Sequence, residues 1–299
     1  MVGVEPIVFK NGDFVPMSQG AISLADRGFL YGDAIFDAMP VWKGRIFKLE
    51  RHLERFFDSL KASSLETEMS IGDWRQAIIE TVRRNNLQEA VVRIFVTRGE
   101  ASADEARRRD PRVYDPNCIV LATPYGRLAP EERRQGGIRL FISHLRGLSP
   151  DTLDPRFKCV DRLQHQLAMI EAAAAGCDDA IWLSQGGYVT EGPASNVFAV
   201  KNGEVLTPSE EILRGITRET VFELAEEAGV PARGTNLTAF DLYTADEVFT
   251  GSTAGGLLAV REVAGRAFPA PVPGPIFRDL DRLYWDLHDS GRHGTPVYV

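Results

Sequence analysis

The chain has 299 residues, 44% hydrophobic, 25% charged and 9% aromatic, which suffices for one large or two medium cores and excludes a disulfide- or zinc-stapled miniature, a disordered chain and a collagen-like repeat. With 34 Lys+Arg against 42 Asp+Glu the net charge is −8, which argues against nucleic acid and acidic membranes as partners and in favour of small molecules. Cys118, Cys159 and Cys177 form no C-x-x-C pair, residues 1–12 carry no basic start with an apolar run, and no uncharged apolar stretch approaches about 18 residues, so a reducing, cytoplasmic setting without a membrane span is expected.

Ile7–Phe9 and Phe14–Val15 flank Asn11-Gly12, a pair suited to the positive backbone angles of a tight hairpin, and a second hairpin is expected at Lys43-Gly44. Leu49, Leu53, Phe56, Phe57 and Leu60 recur at helical spacing, and a second helix is expected over 71–84. Residues 90–97 and 118–123 read as strands; the polar stretch between them, with Arg107, Arg108 and Arg109, is a candidate lid. The low apolar content of 124–137 marks an interdomain linker.

Beyond it come a strand over 138–143, a helix with Val160, Leu163, Leu167, Ile170 and Ala174 on one face, and strands over 180–183 and 188–190. A hairpin across Asn202-Gly203, a helix from Ile216 to Gly229, a strand over 247–250, a Gly/Ser/Thr turn at 251–256 and a helix over 276–287 complete the chain. Hairpin-joined strands with interspersed helices and no βαβ rhythm suggest two α+β domains, 1–123 and 138–299, the second carrying Lys158.

Phosphate-loop, dinucleotide, nucleophile-elbow and H-E-x-x-H motifs are absent, and the five histidines show no ligand spacing, so no metal is expected. The chain has six lysines, Lys10, Lys43, Lys48, Lys61, Lys158 and Lys201, and fills its other cationic positions with arginine. An arginine cannot form an imine, whereas a desolvated lysine can attack an aldehyde. Lys158, between Phe157 and Cys159, stands in a poor place for a solvated cation; a structural role remains open. The helix start at Ile216-Thr217 suits an anion, or is a plain N-cap by Thr217. Glu191 is a strand-end carboxylate or an exposed turn acid.

Asp26-Arg27-Gly28-Phe29-Leu30-Tyr31-Gly32-Asp33-Ala34-Ile35-Phe36-Asp37, His52-Leu53-Glu54-Arg55, Lys158, Val189-Thr190-Glu191-Gly192 with Ser195-Asn196-Val197-Phe198, Leu213–Arg218, Ala245–Phe249 and Gly251–Ala254 together resemble the class IV aminotransferases. These are the fold type IV pyridoxal-phosphate enzymes, with the two-domain architecture of D-amino-acid aminotransferase. The resemblance implies that Lys158 holds pyridoxal 5′-phosphate as an imine and shuttles the substrate proton, that Glu191 faces the pyridine nitrogen, and that Arg55, Ile216, Thr217 and Thr253 bind the phosphate. A homodimer acting on an amino donor and a keto-acid acceptor is implied as well.

Within the family, other members carry a cation where this chain has Pro40, so a substrate carboxylate must be met by Arg93, Arg98, Arg107 or Arg108; Phe36, Ala38 and Ala254 are further candidate substrate contacts. The segments around Val41–Phe47 and Asp154-Pro155 are similar to the (R)-selective amine transaminases, whereas Tyr31 and Arg93 are similar to the branched-chain type. The expectation is transfer from an (R)-amine or D-amino acid to a 2-keto acid, with a branched-chain L-amino-acid aminotransferase and an aminodeoxychorismate lyase-type reaction as alternatives.

Overall fold

The computed structural model describes residues 5–101, 110, 112, 114–124, 131–269 and 271–298. The expected lid arginines Arg107, Arg108 and Arg109, and residues 125–130 of the expected linker, lie outside these. In chain order the elements are β1 (Ile7–Lys10), β2 (Asp13–Pro16), α1 (Arg27–Tyr31), β3 (Ala34–Trp42), β4 (Arg45–Phe47), α2 (Leu49–Ala62), α3 (Ile71–Arg84), β5 (Ala90–Ala101) and β6 (Tyr114–Pro124). There follow α4 (Glu131–Gly136), β7 (Ile138–Arg146), α5 (Leu163–Ala174), β8 (Asp179–Leu183), β9 (Asn196–Lys201), β10 (Glu204–Pro208), α6 (Ile216–Glu227) and β11 (Ala232–Thr235). The last elements are α7 (Ala239–Tyr243), β12 (Glu247–Ser252), β13 (Gly256–Val263), β14 (Arg266–Ala267), α8 (Pro275–Ser290) and β15 (Gly294–Pro296).

Packing divides the chain into two compact units, one of Met1–Gly126, Phe157–Asp161 and Gly291–Val299, the other of Arg127–Arg156 and Arg162–Ser290. This differs from the expected division into 1–123 and 138–299, because 157–161 pairs with β3 and so Lys158 belongs to the first unit. Within the expected linker, α4 forms.

In the first unit an antiparallel sheet runs in the order β15-β4-β3-β5-β6-β1-β2. Its first two hairpins turn where expected, Asn11 and Gly12 at φ 50° and 99° and Lys43 and Gly44 at φ 48° and 70°. The helices α2 and α3 cover one sheet face; Leu53, Phe56, Trp74 and Ile78 pack on Met39, Val41, Val92 and Ile94. Burying each of these side chains contributes about 1.5–3 kcal/mol. Ser70 and Asp73 cap α3 reciprocally, Asp73 accepting the Ser70 N–H at 2.8 Å and Ser70 Oγ the Asp73 N–H at 3.2 Å. Along β3 the period of two turns Ile35, Asp37 and Met39 toward the helices and leaves Phe36 and Ala38 on the opposite face.

In the second unit the sheet order is β11-β10-β9-β12-β13-β7-β8, with β14 on β13. Two parallel crossovers occur here, β7–α5–β8 and β10–α6–β11, so the expected absence of βαβ units does not hold. The rhythm is obscured in the sequence because each pair of parallel strands lies beside hairpin-joined strands, whose turn residues dominate the local pattern. The helix expected from Val160 starts at Leu163, since 158–160 lies along β3. Its expected apolar face is outward: Leu163, Leu167 and Ile170 are 67%, 43% and 63% exposed, while Ala168 and Ala172 meet the sheet.

Candidate active site

In the first unit the Lys158 segment is stitched to the start of β3. The Phe36 N–H donates to the Lys158 carbonyl at 2.9 Å, the Val160 N–H donates to the Ala34 carbonyl at 2.9 Å, and Cys159 bridges Ile35. This fixes the Lys158 backbone on the strand that carries Phe36, and the half-buried side chain lays Nζ 4.7 Å from the centre of the Phe36 ring. Phe36 in turn stacks on Phe95 of β5 at 5.8 Å.

On the other face of β3 lies a charged cluster that sequence reasoning left without a role. Asp37 is fully buried, and both of its oxygens receive Arg55 of α2, from Nε at 2.9 Å and Nη2 at 2.8 Å. His52, one helical turn before Arg55, places Nδ1 2.8 Å from Asp37 Oδ1. Burial alone would raise the Asp37 pKa, but the Arg55 charge and the His52 hydrogen bond outweigh it and hold the carboxyl well below the usual range. Burial, with the Arg55 and Lys158 charges, pushes His52 down against the opposing pull of Asp37. A neutral His52 beside an ionised Asp37 donates through Nδ1–H.

Arg93 stands directly opposite Ala38 across the β3–β5 ladder, on the face of Phe36 and Phe95, and donates to Thr123 Oγ1 at 3.2 Å. Pro40, opposite Val91, lies two residues along the same face, so the cation missing at position 40 has a near counterpart one strand away. Arg98 is committed elsewhere: Nε meets both Asp33 oxygens at 3.1 Å, and its two terminal nitrogens donate to the Ser64 and Ser63 carbonyls at 2.7 and 3.0 Å. It drops out of the substrate-facing candidates.

In the second unit three segments converge. Glu191 Oε2 accepts from Asn196 Nδ2 at 3.1 Å and from the Leu213 N–H at 3.0 Å. The chain then passes Gly215 into α6, whose first turn carries the buried Ile216 and Thr217 and receives no side-chain cap. Four N–H groups at a helix start lack intrahelical partners, and together with the helix dipole they suit an anion. Gly251, at the end of β12, packs against Thr217: a Cβ there would lie 3.2 Å from Thr217 Cγ2. Ser252, Thr253 and Ala254 follow, and Ser252 Oγ accepts the Gly255 N–H at 2.9 Å. The plain N-cap reading of Thr217 is not what forms, since the cap position is Gly215.

This donor set fits pyridoxal phosphate. An amine on an aromatic platform suits its aldehyde, a carboxylate fixed by two N–H groups suits its ring nitrogen, and an uncapped helix start crowded against glycine suits its phosphate.

Comparison with known proteins agrees. Residues 34–263 match the family described as Amino-transferase class IV. A putative branched-chain-amino-acid aminotransferase of Methanocaldococcus jannaschii is 36% identical over 294 residues, 97% of this chain and 99% of that protein. The branched-chain-amino-acid aminotransferase of Escherichia coli K12 is 28% identical over 287 residues, 94% of this chain and 92% of its own. A crystal structure of an Escherichia coli branched-chain amino acid aminotransferase superposes with a TM-score of 0.93 at 27% identity, covering 99% of this chain and 100% of that one. A second branched-chain amino acid aminotransferase, solved with pyridoxamine 5′-phosphate from the source abbreviated T.th., superposes with a TM-score of 0.92 at 27% identity and 99% coverage of both. The chain belongs to the class IV aminotransferases and is a pyridoxal-phosphate-dependent enzyme moving amino groups between amino and keto-acid substrates.

Proposed function

We propose that the enzyme transfers the amino group of branched-chain L-amino acids to a 2-keto acid. The observation that carries this reading is the 36% identity, over nearly the whole of both chains, to a protein named a putative branched-chain-amino-acid aminotransferase. It favours that alternative over the (R)-amine or D-amino-acid donor expected from sequence. Arg93 supports it: a cation on the Phe36 face of β3 and β5 suits a carboxylate-bearing substrate, which an (R)-amine lacking a carboxylate does not need.

Pyridoxal phosphate, when bound, supplies an aldehyde that takes up the amino group and a ring that accepts the electron pair released at the substrate Cα. Lys158 holds it covalently through Nζ; once released, the same amine takes the Cα proton and returns it on the other side of the nitrogen. The Phe36 ring orients that amine. Asp37 and His52 hold the Arg55 guanidinium in a fixed plane, from which it faces the phosphate. Ile216, Thr217 and Thr253 donate to the phosphate, and Glu191 accepts the proton-bearing ring nitrogen. Arg93 meets the substrate carboxylate, Phe36, Ala38 and Ala254 border its side chain, and Arg107 and Arg108 remain lid candidates outside the described residues.

We also propose a homodimer, supported by the exposed apolar run Phe29, Leu30 and Tyr31 at 61%, 51% and 66% exposure. Among the described residues no helix is long and apolar enough to cross a membrane. The test is a donor panel with 2-oxoglutarate: L-leucine, L-isoleucine and L-valine should react, and (R)-1-phenylethylamine and D-alanine should not. Reaction with the latter two alone overturns the reading.

A further inference from the structure

The three segments of the second unit assigned to the cofactor meet at one side chain that neither touches substrate nor was singled out by sequence. Asn196 opens β9 at 5% exposure; its backbone bridges Glu191 on one side and pairs with Gly251 on the other. Both hydrogens of its amide are used, Nδ2 donating to Glu191 Oε2 and to the Leu213 carbonyl, each at 3.1 Å. The Leu213 N–H closes the triangle on the same Glu191 oxygen at 3.0 Å. The amide oxygen faces the next turn: a Cβ on Gly215 would sit 2.1 Å from Asn196 Oδ1, so only glycine admits this arrangement.

We propose that Asn196 is a positioning residue for transamination, its amide locking the Glu191 carboxylate to the Leu213–Gly215 turn that opens the phosphate-facing start of α6. The proposal rests on the reading of Glu191 as the partner of the ring nitrogen. A carboxylate on a flexible side chain rotates about its last torsion; two N–H donors on one oxygen stop that rotation and fix the plane in which the group accepts. Because Leu213 lies two residues before Gly215, the same bonds set the distance between the carboxylate and the first N–H groups of α6. Those two points grip opposite sides of one rigid pyridine ring. Aspartate has the shape of Asn196 but no donor, and it would face Glu191 with a second negative charge.

The test is a double-mutant cycle on the full-length protein with Asn196→Ala, Asn196→Asp and Glu191→Gln, folding being checked by circular dichroism. The readouts are the Kd of the apoprotein for pyridoxal phosphate and the single-turnover decay of the visible band with the fastest amino donor. Losing a hydrogen bond to a charged group predicts that Asn196→Ala slows band decay about tenfold to a hundredfold and weakens cofactor binding about tenfold, with Asn196→Asp worse on both. In the Glu191→Gln background the further slowing by Asn196→Ala should shrink to under about threefold, because the group it positions is already gone. Equal slowing in both backgrounds, or none in the wild-type background, overturns the proposal while leaving Glu191 its role. An unchanged rate for Glu191→Gln alone overturns both. If Asn196→Ala does not fold, the cycle with Asn196→Asp decides by the same criteria.

Discussion

Asp37→Asn isolates the contribution of the buried cluster behind β3. The substitution keeps the shape but removes the charge that binds Arg55 through two bonds of 2.8 and 2.9 Å and orients His52. Breaking a buried ion pair on one side costs about 3–5 kcal/mol. Arg55 is 12% exposed, so water recovers part of this and about 2–4 kcal/mol is expected. That corresponds to a fall of roughly 5–15 °C in the transition of the first unit.

The pH dependence gives a stricter check. The Asp37 pKa is depressed from 3.8 on folding, so its stabilisation is complete above that value and is lost as pH falls below it toward the folded pKa. His52, depressed from 6.5, makes the wild-type fold weaken as soon as pH falls below that value, because the unfolded chain takes a proton the folded one refuses. Differential scanning calorimetry of wild type and Asp37→Asn between pH 3 and 8 should give a wide gap near neutrality that narrows toward pH 3. A gap that stays constant with pH, or a fall in Tm under about 2 °C, would refute the assignment of Asp37 as the anchor of Arg55.

Lys158→Ala should cost about 10²–10⁴-fold or more in transamination while circular dichroism stays unchanged, since one side chain both holds the cofactor and moves the proton. Arg93→Ala should raise KM for the amino acid and the keto acid about tenfold to a hundredfold, with kcat less affected, as expected for a group that holds the substrate carboxylate; an unchanged KM removes it from the site. Asp179, pushed up to about 6 by burial against its bonds to the Ala180 N–H and Ser195, binds its proton more tightly folded than unfolded. Its presence therefore weakens the fold as pH rises from 3.8 through about 6, and Asp179→Asn should stabilise the second unit by roughly 1–3 kcal/mol at pH 8 and by little at pH 4 in denaturant titrations.

The local features legible in the sequence are those dictated by short-range chemistry. The Asn11-Gly12, Lys43-Gly44 and Asn202-Gly203 hairpins form because these positions adopt positive φ, and α3 begins at its Ser70 cap and keeps the bounds its apolar spacing implies. What escaped depends on contacts distant in sequence. Residues 157–161 join the first unit through two backbone bonds and a bridge to β3, so neither the unit boundary nor the late start of α5 could be read from spacing. At the site, Lys158 stood out by type and position, whereas the Asp37–Arg55–His52 cluster joins a strand to a helix 15 to 18 residues on, and no periodicity marks it. A charged residue on the inward register of β3 was the available signal, since such a position is empty of charge unless a partner meets it. Asn196 lay inside a quoted motif, yet its bonds to Glu191 and Leu213 emerge only once the 213–215 turn is folded against β9.

The attachment of the cofactor tests the account most directly. Borohydride reduction of the pyridoxal-phosphate-loaded protein, followed by proteolysis and peptide mass spectrometry, should locate the phosphopyridoxyl label on Lys158 and on none of the other five lysines. A label on another lysine, or no covalent label at all, would contradict the assignment of Lys158 as the amine that carries the reaction.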